Sequence, residues 1–185
     1  WLSTSMKTEH GGMGVPILFQ SVIWAEFGTS TNMALSVLPA LTLGVYDILA
    51  EHGETELVDY FAKNLASGKW SGTMCLTEPH AGTDLGIIST KAIPLEDGTY
   101  QVTGTKIFIS YGEHDLTENI VHLVLAKTPD APEGTKGISL FLVPKFMPSG
   151  WNSKGLAEMS NELNSEHNRV TCSGSEEKMG IHASP

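Results

Sequence analysis

The sequence predicts an α+β fold in which a helical region is followed by an antiparallel β region. Apolar residues recur at helical spacing through the first seventy residues, whereas short segments rich in Val, Ile and Leu follow Trp70. Helices and strands do not alternate along the chain, so we do not expect the parallel sheet that repeated βαβ units form. The predicted domains therefore cover residues 1–69 and 70–185.

Three helices are predicted in the first domain. Pro16 suits a first helical turn, and apolar residues follow it at helical spacing as far as Phe27. Residues 33–50 are apolar on nearly every side, which is typical of a helix buried between neighbours. Residues 54–66 carry one apolar stripe and acidic residues in the first turns, and Gly68 is placed to end this helix.

A hairpin and two further strands are predicted in the second domain. Residues 87–95 and 99–110 flank Asp97-Gly98, a pair typical of a type I′ turn because both of its positions adopt positive φ. Residues 120–126 and 138–143 are short apolar runs that predict two more strands.

The remainder of the second domain is less regular. Residues 145–168 are polar and contain Gly, Ser and Asn throughout, so they predict a long surface insert. Residues 169–173 and 179–182 are expected to return to the sheet.

Composition and charge exclude several classes of function. The chain has 11 Lys and Arg against 21 Asp and Glu, a formal net charge of −10, which repels nucleic acid and anionic lipid. Its two cysteines and seven histidines lack the spacing of a disulfide framework or a metal site. No signal segment opens the chain, and Pro39 interrupts the longest apolar run, so we expect a soluble, reduced, intracellular protein.

The segment 76–84, LTEPHAGTD, carries the most chemical information. A strand is expected to end at Thr77, because Pro79 prevents its continuation. The small residues that follow form a turn whose open amides and hydroxyls suit a ligand with carbonyl and phosphate oxygens. The alternative is an ordinary turn in which the hydroxyls of Thr77 and Thr83 bond to the nearby backbone.

This segment resembles the flavin-loop signature of the acyl-CoA dehydrogenases. Four other segments resemble motifs of the same family in the same order: HGGMGVP at 10–16, LASGKW at 65–70, GTKIFIS at 104–110 and KMGIHASP at 178–185. The segment 137–146 and the insert after it are most similar to the 3-methylmercaptopropionyl-CoA dehydrogenase branch.

The resemblance implies FAD as cofactor and dehydrogenation of an acyl-CoA thioester between its α and β carbons. It implies a partial N-terminal helical domain, a middle β-barrel domain, and no C-terminal helical bundle in this chain. It also assigns flavin-lining roles to residues of two segments: Met74, Cys75, Leu76, Thr77, Gly82, Thr83, Phe108, Ile109 and Ser110.

The resemblance also implies individual roles within that set, and the chemistry of a flavin is consistent with them. A hydroxyl from Thr77 or Ser110 near N5 can stabilise the negative charge that arrives on the ring. Phe108 offers an aromatic face where the family commonly has Trp; the alternative is a strand residue that points into the barrel core. Thr83 matches the position that contacts the acyl-CoA.

No catalytic residue is assigned in this chain. The family's general base is a Glu of the C-terminal helical domain, which is expected beyond Pro185, so the chain alone is expected to be inactive. Trp1 in place of an initial Met also favours a fragment of a larger protein.

The resemblance implies further partners and leaves two alternatives open. An electron-transfer flavoprotein or similar acceptor, a homodimeric or homotetrameric parent, and a cytoplasmic or organelle-matrix location are expected. An acyl-CoA oxidase on the same scaffold is one alternative. A non-catalytic binding or assembly module is the other, favoured by Ile87 and His182, which replace a small residue and a frequent Arg of the family motifs.

Overall fold

The structure is a computed structural model that describes residues 3–30, 34–148, 163–178 and 181–185. It contains two compact units. The first comprises Trp1–Thr73 with Glu113–Val121, and the second comprises Met74–Gly112 with His122–Pro185. The division into domains at residue 70 stays a prediction.

Two of the predicted helices are confirmed, and the third has a different form. Helix α1 covers Ile17–Ser30, and α2 covers Ala34–His52 with Pro39 inside it. The third segment is α3, Thr55–Leu57, then a π-helical turn over Val58–Ala62, then α4, Lys63–Ala66. Gly68 follows in the left-handed region at φ 74°, a conformation that glycine adopts without a steric penalty.

The π turn buries one aromatic cluster of the first unit. Phe61 and Trp70 are both fully buried, and their rings meet edge to face with centroids 5.5 Å apart. Tyr60 meets Trp70 in the same manner at 5.5 Å. Among the described helices, none is long and apolar enough to cross a lipid bilayer.

Nine strands lie in the described residues. They are β1 Trp70–Cys75, β2 Lys91–Pro94, β3 Tyr100–Thr103, β4 Asn119–Lys127, β5 Ile138–Pro144, β6 Phe146–Pro148, β7 Leu163–His167, β8 Glu176–Lys178 and β9 Ile181–Ser184. The first five form one sheet with the order β1-β4-β2-β3, and β5 also pairs with β4. The strands predicted over 120–126 and 138–143 are confirmed by β4 and β5.

The predicted antiparallel barrel is wrong for this chain, because the five-stranded sheet is open and mixed. Its hydrogen-bonded order ends at β1 and β3, which do not pair with each other in the described part of the chain. In addition, β2 and β4 run parallel, with Lys91 opposite Lys127. A barrel would need the two end strands to close on each other.

The hairpin was predicted correctly, but its turn type and strand lengths were not. Strands β2 and β3 pair antiparallel, with Lys91 opposite Thr103 and Pro94 opposite Tyr100. Gly98 alone of the predicted turn pair has positive φ, and its N–H donates to the Leu95 carbonyl oxygen. The turn therefore has three residues and a left-handed glycine at its end, as in a type I turn with a bulge, rather than type I′.

The predicted return to the main sheet is also corrected, whereas the surface insert predicted over 145–168 stays a prediction. Strands β6 and β7 lie within 145–168 and pair with each other, Phe146 opposite His167. Strands β8 and β9 form a separate two-stranded sheet, and residues 169–173 form no strand. Residues 149–162 of the predicted insert, and residues 179 and 180, lie outside the described residues.

Candidate functional site

Two segments that the sequence analysis singled out are joined side by side in the second unit. The N–H of Ile107 donates to the carbonyl oxygen of Thr77 at 2.9 Å. The ammonium of Lys106 donates to the carbonyl oxygen of Leu76 at 3.1 Å and to Glu78 Oε1 at 2.8 Å. Three consecutive residues of the segment 76–84 are therefore bound by two consecutive residues of the segment 104–110.

The Glu78 carboxylate is the most heavily bonded side chain of this region. Its exposed fraction is 1%, and beside Lys106 it accepts from both the N–H and the hydroxyl of Ser89 and Thr90. Burial acts to raise the pKa of the carboxyl group, but the bonds from Lys106, Thr90 and Ser89 outweigh it and hold that pKa well below its usual range. Glu78 is therefore an ionised anchor, and its bonded oxygens make it a poor proton acceptor.

A tight turn follows Glu78. The N–H of Glu78 donates to the Ala81 carbonyl oxygen at 2.9 Å, and the N–H of Ala81 donates back at 3.0 Å. Ala81 is buried, whereas the next two residues, Gly82 and Thr83, are exposed. Asp84 then accepts from the Gly86 N–H at 3.0 Å and so begins a 3₁₀ turn over Leu85–Ile87.

The groups that a ligand could use lie on both sides of this turn, at the half-buried Thr77 and at the exposed Gly82 and Thr83. Within the described residues, neither the Thr77 nor the Thr83 hydroxyl has a hydrogen-bond partner, and the same holds for the N–H groups of Gly82 and Thr83. A Cβ on Gly82 would meet no atom within 4 Å. The structure therefore shows no bond from either threonine hydroxyl to the local backbone among the described residues. The local side-chain bond of this turn is made by Asp84, which accepts from the Gly86 N–H.

The sequence predicts that the hairpin strand continues through the segment 104–110, but the structure shows that it does not. Strand β3 ends at Thr103, and Phe108 has φ 61°, in the left-handed region that β-strands exclude. Its side chain is 36% exposed, Ser110 is half-buried and Ile109 is buried. Non-glycine residues in this region cluster at functional sites, although Tyr111 and Arg169, for which no role is proposed, also have positive φ.

Not all predicted flavin-lining side chains face outward. Cys75 and Ile109 are buried with Val124 in one apolar cluster. Met74 and Leu76 are half-buried. For Cys75 and Ile109, only main-chain atoms are left to contact a ligand, and the Ile109 N–H already donates to the Pro185 carbonyl oxygen.

Sequence reasoning quoted Glu78 and Lys106 within motifs but gave neither a role. It did not single out Ser89 or Thr90 at all. Glu and Lys are rarely fully buried unless they pair, but neither segment has a pattern that predicts burial at these two positions. No local pattern indicated that two hydroxyl residues eleven and twelve positions later complete that pair.

Comparison with known proteins agrees with the motifs. A family model described as the acyl-CoA dehydrogenase middle domain matches residues 73–183. The chain is 47% identical over 185 residues to the 3-methylmercaptopropionyl-CoA dehydrogenase of Ruegeria pomeroyi, a match that covers 100% of this chain and 30% of that protein. It is 39% identical over 181 residues to a butyryl-CoA dehydrogenase of Syntrophomonas wolfei, covering 97% of this chain and 28% of that one.

A solved structure extends the similarity to the fold. The structure reported as the electron transferring flavoprotein of Acidaminococcus fermentans aligns with a TM-score of 0.69 and 28% identity, covering 80% of this chain and 37% of that chain. The chain spans about 30% of the length of the curated relatives above.

Proposed function

Because the chain belongs to the acyl-CoA dehydrogenase family, we propose that it forms the FAD- and acyl-CoA-binding part of an enzyme that dehydrogenates acyl-CoA thioesters. One observation carries the proposal. Two hydroxyls and two amide N–H groups of the segment 77–83 have no partner among the described residues, while Glu78 in the same segment is firmly anchored.

These residues fit a flavin nucleotide chemically. Donors on a small-residue turn, with open space over Gly82, suit phosphate and carbonyl oxygens. FAD, when bound, supplies the acceptor for the hydride that leaves the β carbon. Thr77 and Ser110 would hold the ring through their hydroxyls, Phe108 would cover an apolar face, and Thr83 would bind the acyl-CoA.

The carboxylates of this segment are not proposed as the base that removes the α proton. Glu78 is ionised, buried and bonded by Lys106, Ser89 and Thr90, so it cannot reach a substrate. Asp84 is exposed, and its Oδ1 accepts from the Gly86 N–H as the cap of the 3₁₀ turn. We therefore assign binding roles alone to these residues, and a base outside the segment is required.

The test is the absorption spectrum of the protein expressed from its complete reading frame and purified with added FAD. Flavin bands that bleach without oxygen on addition of 3-methylmercaptopropionyl-CoA or butyryl-CoA are expected. A colourless protein that FAD cannot reconstitute contradicts the proposal. Reoxidation in air with release of peroxide would indicate an oxidase instead, and calorimetry without heat for any acyl-CoA would indicate a non-catalytic module.

The acceptor and the assembly of the parent protein are proposed on the same basis. We expect an electron-transfer flavoprotein to reoxidise the reduced enzyme, which a coupled dye assay with that protein measures. Light scattering of the purified parent is expected to give a homodimer or homotetramer.

One of the observations that favour the non-catalytic alternative is Ile87, and its surroundings are described by the structure. Ile87, the large residue of the flavin signature, lies at the end of the 3₁₀ turn with more than half of its side chain in solvent. Its carbonyl oxygen accepts from His80 Nε2 at 3.2 Å. The turn thus accommodates Ile87 on its surface.

A further inference from the structure

We infer that Lys106 is a positioning residue for the flavin: it holds the Leu76 carbonyl oxygen and the Glu78 carboxylate on either side of Thr77 and so sets the place of the Thr77 side chain. This inference rests on the proposed function. Lys106 is not expected to touch flavin or substrate; it acts through residues 76–78.

The contacts of Lys106 surround Thr77. One N–H of the ammonium reaches the carbonyl oxygen before Thr77, that of Leu76, and another reaches the carboxylate after it, that of Glu78. The neighbouring Ile107 N–H holds the carbonyl oxygen of Thr77 itself. The carbonyl oxygens of Leu76 and Thr77 and the Glu78 carboxylate are thus all bonded from one side, which restrains the backbone that carries the Thr77 side chain.

The Glu78 carboxylate is held rigidly because both of its oxygens accept hydrogen bonds. Its Oε2 accepts from Ser89 and its Oε1 from Thr90, two residues that immediately precede β2. Glu78 is 1% exposed and the Lys106 side chain 10% exposed. The pair is therefore shielded from solvent, where a charge-assisted bond is strongest and most directional.

A positive charge, and not merely a long side chain, is required at position 106. Without it, the Glu78 carboxylate would be a buried anion with hydroxyl and amide donors, and its one remaining basic neighbour among the described residues would be the half-exposed His80 imidazole, 3.6 Å from Oε2. Loss of the lysine would therefore be strongly unfavourable. Relief of that charge would come through water entering the site or through movement of the segment 76–78. Either response would displace the Thr77 hydroxyl.

The experiment compares Lys106→Met, Lys106→Arg and a control, Lys91→Met, in the protein expressed from its complete reading frame. Lys91 is an exposed lysine on β2 in the same unit. The first measurement, without FAD, is hydrogen exchange of peptides covering residues 74–83. We expect at least about tenfold faster exchange there in Lys106→Met, parental exchange in Lys91→Met, and an intermediate rate in Lys106→Arg, whose planar fork keeps the charge.

The second measurement is made on the flavin at saturating FAD. In Lys106→Met we expect a shifted reduction potential and a kcat lowered about ten- to a hundredfold with KM for acyl-CoA nearly unchanged, because a small displacement of a reacting group is costly. A role confined to stability would lower the melting temperature while the potential stayed parental.

Two results overturn the inference. If folded Lys106→Met has the hydrogen-exchange rates and the flavin reduction potential of the unsubstituted protein, the lysine does not position the loop. Flavin absorption of the unsubstituted protein would still support the proposed function in that case. A parent that binds no FAD would contradict the proposed function and, with it, the role of Lys106. If Lys106→Met fails to fold, the double variant Lys106→Met with Glu78→Gln, which removes both charges, replaces it. Faster hydrogen exchange at residues 76 and 77 is then expected. Exchange at the rate of the unsubstituted protein would overturn the inference.

Discussion

Gly104 and Thr90 approach each other so closely that a Cβ on Gly104 would lie 2.7 Å from Thr90 Cβ and overlap the Thr90 hydroxyl. That hydroxyl is one of the donors to the buried Glu78 carboxylate. The glycine of the segment 104–110 is therefore required by the proximity of the Glu78 anchor, and not by its own backbone conformation.

Gly104→Ala is expected to destabilise the protein by about 1–3 kcal/mol, the usual cost of overpacking, because Thr90 must move away from Glu78. The free energy of unfolding in urea measures it. Gly174→Ala is the matched control, since a Cβ at Gly174 in the same unit meets no atom within 4 Å. Equal stabilities of the two variants would show that the contact is relaxed in solution.

Stability is expected to fall in acid because of Glu78. Its pKa is lowered on folding from an ordinary value of 4.5, so the stabilisation is complete above that value and is lost as pH decreases below it. A single group of this kind changes the free energy of unfolding by at most about 1.4 kcal/mol per pH unit. Urea unfolding at pH 5, 4 and 3 measures the slope.

Glu78→Gln separates this group from the other carboxylates. The variant is expected to be less stable at pH 5 and to have a flatter dependence between pH 5 and pH 3. Asp97→Asn is the comparison, because the pKa of Asp97 is also lowered by bonds from Thr99, but the group is fully exposed. If both variants flatten the curve equally, Glu78 is not the dominant titrating group.

Thr77→Val is expected to raise the Kd for FAD about three- to tenfold, the effect of losing one ligand hydrogen bond in a side chain of nearly unchanged volume. Flavin fluorescence titration measures the Kd. Thr77→Ser keeps a hydroxyl and is expected to remain close to the parent. An unchanged Kd in Thr77→Val would remove the hydroxyl from the proposed flavin site.

Thr83→Val is expected to raise KM for acyl-CoA by a similar three- to tenfold factor while the Kd for FAD changes less. Steady-state kinetics with a dye acceptor measure KM. Thr103→Val is a matched control, because Thr103 is an exposed hydroxyl residue on β3 of the same unit. A larger change in FAD affinity than in KM would place Thr83 against the cofactor instead.

Phe108→Ala is expected to weaken FAD binding about two- to tenfold through loss of an aromatic contact, whereas Phe108→Trp is expected to retain affinity. The same titration measures both. Phe141→Ala is a useful contrast, since the Phe141 ring packs on Tyr100 with centroids 5.1 Å apart. It should lower stability and leave the affinity for FAD unchanged, so a parallel loss in both variants would argue for a general packing effect.

Periodicity was sufficient for elements whose environment is local. The apolar stripes predicted the helices, and the runs of branched residues predicted β4 and β5 with bounds within a few residues. It failed where the backbone depends on distant contacts. The turn at Gly98 has a bulge, the strand before Gly104 ends early, and β2 aligns parallel to β4. No local sequence pattern predicts these three features.

The same limit applied to the site. Motif resemblance located the two segments around Thr77 and Phe108, and in the structure Lys106 and Ile107 of one segment bond to residues 76–78 of the other. It could not indicate which polar groups are consumed in holding the segments together, because that depends on Ser89 and Thr90, which belong to neither motif. The division between anchoring groups and groups left for a ligand is a property of the folded chain.

The open order of the main sheet has a consequence for behaviour at high concentration. In the described part of the chain, β3 pairs with β2 alone, so its other edge offers unpaired N–H and C=O groups to a second molecule. That edge is only the four residues Tyr100–Thr103 long, and the backbone beyond it turns away from strand geometry by Phe108. Such a short template gives an incoming strand few bonds, so the early end of β3 limits self-association through this edge.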